Sequence, residues 1–291
     1  MNSQPALLEL RRAAAALQAG AFRDPSTLAL NGDHDRPIGR ASGPFIEPTV
    51  TVTGATSGLG ASTFALALAA ALAQTHACGA RVLECNTLRG SALVATTNAE
   101  LDTDEAGWRQ GLRETSGEPV LVQRAPRAAQ PSGLPLPAAL DSPVGVTVLD
   151  PGWPLVAVDG WLKAAVVSSS ACVVIAQATV PGLERLEALL AATAADAIAM
   201  VRGPRPRRWP AVLRAAIGPH TSGLIEAERL VAVLNDRALH LHGPSPAALP
   251  RSLTDCADAV ADLIDLPPIT ASADHFKADE PATHMERKLA C

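Results

Sequence analysis

The chain of 291 residues contains no tyrosine, so no reaction that passes a proton through a phenol belongs to it. Lysine is nearly as scarce: Lys163, Lys277 and Lys288 stand against a large excess of arginine. A net charge of −5 argues against an overall basic coat for nucleic acid. The five cysteines, Cys78, Cys85, Cys172, Cys256 and Cys291, are odd in number and lack C-x-x-C spacing. That fits reduced thiols better than a disulfide frame or a zinc site. The longest apolar run, Phe64 to Ala73, is too short to cross a bilayer. Arg11 and Arg12 interrupt the N-terminal helical pattern, unlike a secretory signal. A soluble, cytoplasmic chain is expected.

With 48% of its residues apolar, the sequence can build one large α/β core. Leu7, Leu10, Ala14 and Leu17 predict an amphipathic helix over residues 5–19. A Pro-, Gly- and Asp-rich linker follows up to residue 48. The main domain is expected over 49–266, and the polar tail 267–291 reads as mobile.

The stretch around which this domain is organised is Thr49 to Leu72. A β-branched run, Thr49 to Thr53, reads as a buried strand. A glycine-rich turn and an Ala/Leu helix follow it. Free N–H groups and the helix dipole converge at such a junction, which therefore suits an anion such as a nucleotide phosphate.

Downstream, strands are expected at Gly79–Glu84, Pro119–Gln123, Val144–Asp150, Ala171–Thr179, Ala197–Val201 and Leu230–Leu234. Helices are expected at Glu105–Arg113, at Val180–Leu190 with Pro181 near its start, and at Pro210–Ile217. A last helix starts at the capping-box-like Ser252-Leu-Thr-Asp255 and ends near Ile264. The segment 125–143 reads as a proline-rich surface loop. Arg202, Arg205, Arg207 and Arg208, beside Trp209, form the only basic cluster. It reads foremost as a solvated loop; nucleotide phosphate, a DNA backbone or an acidic partner are its alternative contacts, and nucleic acid is not favoured.

Two families share the central turn. Thr53-Gly54-Ala55-Thr56-Ser57-Gly58-Leu59-Gly60 matches the TGxxxGxG turn of short-chain dehydrogenases, which implies NAD(P) binding. Those enzymes work through a Tyr-x-x-x-Lys pair, which a chain without tyrosine does not have. The same residues, continued through Ala61-Ser62-Thr63, resemble the deviant P-loop of ParA/MinD-type ATPases, in its septum-site-determining and TadZ-like branch. Relative to the usual KGGxGK[ST], Thr56 stands at the signature lysine, Ser57 at a glycine, and Ala61 at the second lysine.

The ParA/MinD resemblance runs from Gly54 to Asp236. Glu84-Cys85-Asn86 stands at the family's D-x-D element, where a carboxylate helps activate water or hold magnesium. Asp150-Pro-Gly152 resembles the acid that closes the Walker B strand. Thr179-Val-Pro181 resembles the turn after that strand, and Asn235-Asp236 the turn beside the adenine.

The resemblance implies a doubly wound, mostly parallel α/β sheet with helices on both faces. It implies ATP and Mg2+ as ligands. Gly54, Thr56, Ser57, Gly58, Leu59, Gly60, Ala61, Ser62, Thr63, Asn235 and Asp236 would hold the nucleotide; Ser62 and Asp150 would hold the metal; Glu84 and Asp150 would serve any catalysis. Without the two lysines, for which Arg89 or Arg202 could substitute although the sequence does not place them, the site is expected to bind ATP weakly and to hydrolyse it slowly or not at all. The protein would then act as a scaffold or regulator in positioning, partition, secretion or conjugation, dimerising across the loop face or joining a protein partner. An active ATPase with unusual residues is the alternative, and a dehydrogenase-like NAD(P) binder is the third.

Overall fold

The computed structural model describes residues 43–86, 91–115, 117–126, 133–140, 144–152, 160–193 and 196–266. The helix expected over 5–19, most of the linker, Arg89 and the tail from 267 lie outside the described residues.

Among the described residues, nine strands form one sheet. In chain order they are β1 (Thr49–Gly54), β2 (Ala80–Glu84), β3 (Ala99–Thr103), β4 (Arg109–Arg113), β5 (Val120–Arg124), β6 (Val146–Asp150), β7 (Ala171–Gln177), β8 (Ala197–Arg202) and β9 (Leu230–Val233). Their spatial order is β3-β4-β5-β2-β6-β1-β7-β8-β9. From β5 to β9 every pairing is parallel, while β4 and β3 add an antiparallel edge.

The helices are α1 (Ala61–His76), α2 (Gly160–Val167), α3 (Val180–Ala192), α4 (Ala211–Ala215), α5 (Pro219–Glu226), α6 (Arg237–His242) and α7 (Arg251–Ala261). The two-residue period of β1 sorts them into layers. Val50 and Val52 point into a core with Phe64, Leu66, Leu68 and Leu72 of α1 and Leu253, Ala257 and Val260 of α7. On the opposite face, Val174 and Ala176 pack with Leu183, Leu186 and Leu190 of α3, and Leu83 and Leu149 with Leu162 and Ala165 of α2. Thr51, on that second face, spends its hydroxyl on Ser169 at 2.7 Å. A polar atom in a buried strand is thereby satisfied.

Helix α1 is buried almost all round, because the sheet covers one side and α7 the other. Its Ala-rich sequence permits both approaches. Helix α3 begins as the sequence predicts: Thr179 is its N-cap, its hydroxyl accepting from the Gly182 N–H at 3.1 Å, with proline in the first turn.

The helix expected at Glu105–Arg113 is not formed. Arg109–Arg113 is strand β4, and residues 104–108 are the turn that leads into it. Asp104 accepts from the Trp108 N–H at 2.7 Å and from the Ala138 N–H at 3.0 Å, while Gly107 adopts φ 88°. A side chain closing its own turn competes with helix, and a left-handed glycine ends it. Within the 125–143 loop, residues 133–140 are not simply solvated: the Leu134 and Pro135 carbonyls accept from the Trp161 and Trp108 indoles.

Candidate functional site

The parallel order carries the carboxyl ends of β1, β2, β6, β8 and β9 to one edge of the sheet, where α/β folds hold their ligands. A cavity of about 490 Å³ opens there. Its floor is the loop Gly54 to Thr63, and Asn86, Asp150, Gly152, Arg202, Asp236 and His240 are among its walls.

Loop geometry follows from its glycines. Gly58 and Gly60 have φ of 76° and 87°, and a Cβ at either would meet nothing within 4 Å. The requirement there is conformational, since side chains rarely adopt that backbone. At Gly54 it is steric: a Cβ would lie 2.8 Å from the Thr56 carbonyl oxygen. The Ala55 N–H donates to the Ile175 carbonyl at 2.7 Å and so ties the loop to β7. Gly60 is the N-cap of α1 and offers no side chain to the first-turn amides. The opening of a sixteen-residue helix is thereby left to face an anion.

Behind the loop lie two acids. Strands β2 and β6 are in register so that Glu84 and Asp150 are direct neighbours, and both are fully buried. Asp150 accepts from the Gly152 N–H at 3.0 Å and from the Asn86 amide at 3.4 Å. Glu84 accepts from the Ser91 hydroxyl at 2.5 Å and the Ala92 N–H at 3.0 Å. The Ser62 hydroxyl, in the first turn of α1, reaches both carboxyl groups.

Burial pushes the Glu84 carboxyl up to about 7, hydrogen bonds from Ser91, Ala92 and Ser62 offset part of that rise, and the Asp150 charge adds to it. Asp150 is raised as well, first by burial, against hydrogen bonds from Ser62, Gly152 and Asn86. Two neighbouring carboxylates taken out of water resist carrying two charges at once.

The structure therefore gathers Gly54, Thr56, Ser57, Gly58, Leu59, Gly60, Ala61, Ser62, Thr63, Asp150 and Asp236 around one cavity. Glu84 touches Ser62 from behind and is not among the lining residues. Asn235 lines a second cavity of about 430 Å³ on the loop's flank, together with Gln177, Arg202, Arg237 and His240. Asp236 also caps α6, accepting from the Leu239 N–H at 2.8 Å.

Sequence reasoning did not assign Asn86, His240 or Ser252 to the site. Asn86 was legible in principle, being two positions beyond Glu84 at a strand end. His240 and Ser252 depend on how α6 and α7 fold over the cavity. The arginine cluster divides: Arg205, Arg207 and Arg208 are exposed, whereas Arg202 turns to the loop.

A dinucleotide-binding sheet of the dehydrogenase kind places the strand after the first helix beside the first strand. Here β6 lies between β1 and β2, which removes that arrangement. No family model matches the chain, and no curated protein matches it. Among solved structures it is similar to a plasmid partition protein from Borrelia burgdorferi B31 bound to AMPPNP, at 12% identity and TM-score 0.49, over 75% of this chain and 97% of that one. It is also similar to a ParA family ATPase from Chlorobium tepidum, at 12% identity and TM-score 0.48, over 74% and 98%. The cell division protein MinD of Aquifex aeolicus gives 12% identity and TM-score 0.47, over 74% and 95%.

Proposed function

We propose that the chain is a nucleoside-polyphosphate binder of the ParA/MinD type that takes Mg-ATP weakly and hydrolyses it little or not at all. One observation carries the reading: a main-chain phosphate cradle and a buried acid meet at Ser62, yet the cradle contains no lysine. The amides of Gly58 to Thr63 would hold phosphate, and Ser62 with Asp150 would hold Mg2+, whose role is to neutralise phosphate charge and fix its orientation. Losing a preorganised cationic or hydrogen-bonding donor costs about 3 kcal/mol of transition-state stabilisation. Two lysines are missing relative to the resembling family, so retained binding with little turnover is the consequence.

Such a protein would serve as a cytoplasmic scaffold or regulator in positioning, partition, secretion or conjugation, with nucleotide occupancy controlling a homodimer across the loop face or a protein partner. The active-ATPase reading has one observation in its favour, a Glu84 carboxyl near 7, the range of a general base. Against it, Glu84 is committed to Ser91 and Ala92 and does not line the cavity.

Calorimetric titration of the purified chain with Mg-ATP, and separately with NADPH, tests the proposal. Weak Mg-ATP binding, abolished by Gly60→Val and weakened further by Ser62→Ala, is expected, whereas micromolar binding lost in both variants favours the active ATPase. Asp150→Asn should remove the magnesium dependence of binding while the fold stays cooperative. NADPH binding without ATP binding refutes the reading, and sustained turnover lost in Glu84→Gln establishes the active alternative.

A further inference from the structure

The loop lacks lysine, but the cavity does not lack positive charge. Arg202, the last residue of β8, reaches past β7 to the loop that follows β1. Its Nε donates to the Asn235 Oδ1 at 3.1 Å. One terminal nitrogen donates to the carbonyls of Gly58 at 3.3 Å and Leu59 at 3.2 Å. These bonds are at the long end of the N–H···O range, and the second terminal nitrogen has no recorded acceptor among the described residues.

Arg202 also belongs to none of the ion pairs recorded among the described residues, which join Arg81 to Glu47, Arg124 to Glu100 and Arg251 to Asp255. It lines both the loop cavity and the flanking one. A half-buried guanidinium with no carboxylate partner among the described residues, set against two loop carbonyls, is poised for an anion resting on the same loop.

We propose that Arg202 supplies the phosphate site with the positive charge that the loop itself does not provide, entering from β8 and aimed by Asn235 and the Gly58 and Leu59 carbonyls. The inference rests on the polyphosphate-binding reading above and names the cationic residue of that site. Its ligand class is a di- or triphosphate, recognised by charge and fork geometry without reference to the base. The guanidinium is held at the loop by two long hydrogen bonds and lines the cavity above it.

Inorganic tripolyphosphate and Mg-ATP, titrated at low and high salt against wild type, Arg202→Gln, Arg202→Lys and Asn235→Ala, provide the test. Arg202→Gln is expected to weaken both ligands at least about tenfold at low salt, with the gap narrowing as salt rises. Arg202→Lys keeps the charge but not the fork, and should stay within a few-fold of wild type. A loop tether alone predicts the opposite, with Lys as poor as Gln, because lysine does not reproduce the guanidinium's paired carbonyl contacts. Asn235→Ala should fall between them.

Wild-type binding that is unchanged in Arg202→Gln overturns the assignment of Arg202 and leaves the polyphosphate reading standing. No binding of either ligand to wild type overturns both. Should Arg202→Gln not fold, a loss of about tenfold or more in Arg202→Lys relative to wild type at low salt still refutes the charge role.

Discussion

The buried Glu84–Asp150 pair makes stability depend on pH in a direction opposite to that of ordinary surface acids. The Glu84 carboxyl titrates near 4.5 when exposed and near 7 in the fold. A group whose pKa is raised by folding adds stability while both states are protonated, and that contribution is lost as pH climbs through the folded value. At about 1.36 kcal/mol for each pH unit between the two states, the span from 4.5 to about 7 amounts to about 3 kcal/mol. Stability should therefore decline between pH 4.5 and 7 and level off above it.

Glu84→Gln removes this titration while keeping a carbonyl oxygen to accept from Ser91 or Ala92. Urea midpoints in a chelating buffer, followed by tryptophan fluorescence, to which the buried Trp108 and Trp209 contribute, measure both proteins at pH 5, 6, 7 and 8. Subtracting the two curves cancels the groups that do not interact with Glu84, so the difference reports Glu84 together with its coupling to Asp150. The wild type should lose about 2–3 kcal/mol relative to Glu84→Gln between pH 5 and 8. A flat difference, or one of opposite sign, would refute the account of Glu84 as a carboxyl kept neutral by burial.

Phe64→Ala, which empties a fully buried ring position between α1 and the sheet, should cost about 3–5 kcal/mol in denaturant unfolding. Cys172 and Cys256, whose thiols burial pushes up to about 12, should resist alkylation at pH 8 in the native protein and react fully in urea. Chelating magnesium should weaken ATP binding by well over tenfold, as read by calorimetry, because an acid beside a lysine-free loop accepts phosphate only with a cation between them.

Local pattern carried the sequence reading as far as it went. The alternation of Thr and Val in Thr49–Thr53 and the following glycines announced β1, its loop and α1, since each feature is decided within a few residues. Thr179 and Pro181 announced α3 by the same kind of local chemistry, a hydroxyl cap and a pre-set φ. The β3–β4 hairpin failed because Glu105–Arg113 is rich in helix formers, and only the Asp104 side chain and the left-handed Gly107 override them. Helix α2 was not anticipated: it spans eight residues and buries only Leu162 and Ala165, too little for a periodic signal. Strand order was illegible on principle, because pairing is settled between segments far apart in the chain. The aim of Arg202 was equally hidden; the sequence placed it in a basic cluster from which the fold withdraws it.

That hidden order is what gives the loop its chemistry. Glu84 and Asp150 are sixty-six residues apart, and neither is near the glycines in sequence. By entering between β1 and β2, β6 sets Asp150 beside Glu84 on one flank and brings both to Ser62 across the start of α1. Had β2 paired with β1 directly, the loop would face one acid at most, as in a dinucleotide-binding sheet where that acid meets a ribose. With β6 interposed, two acids share one hydroxyl out of water, and the pair holds a proton or a cation to stay buried. The other flank answers with the opposite sign, since β8 delivers an arginine to the loop carbonyls. Negative charge behind the helix start and positive charge across the loop suit a metal–polyphosphate complex, whose cation and anion are presented side by side.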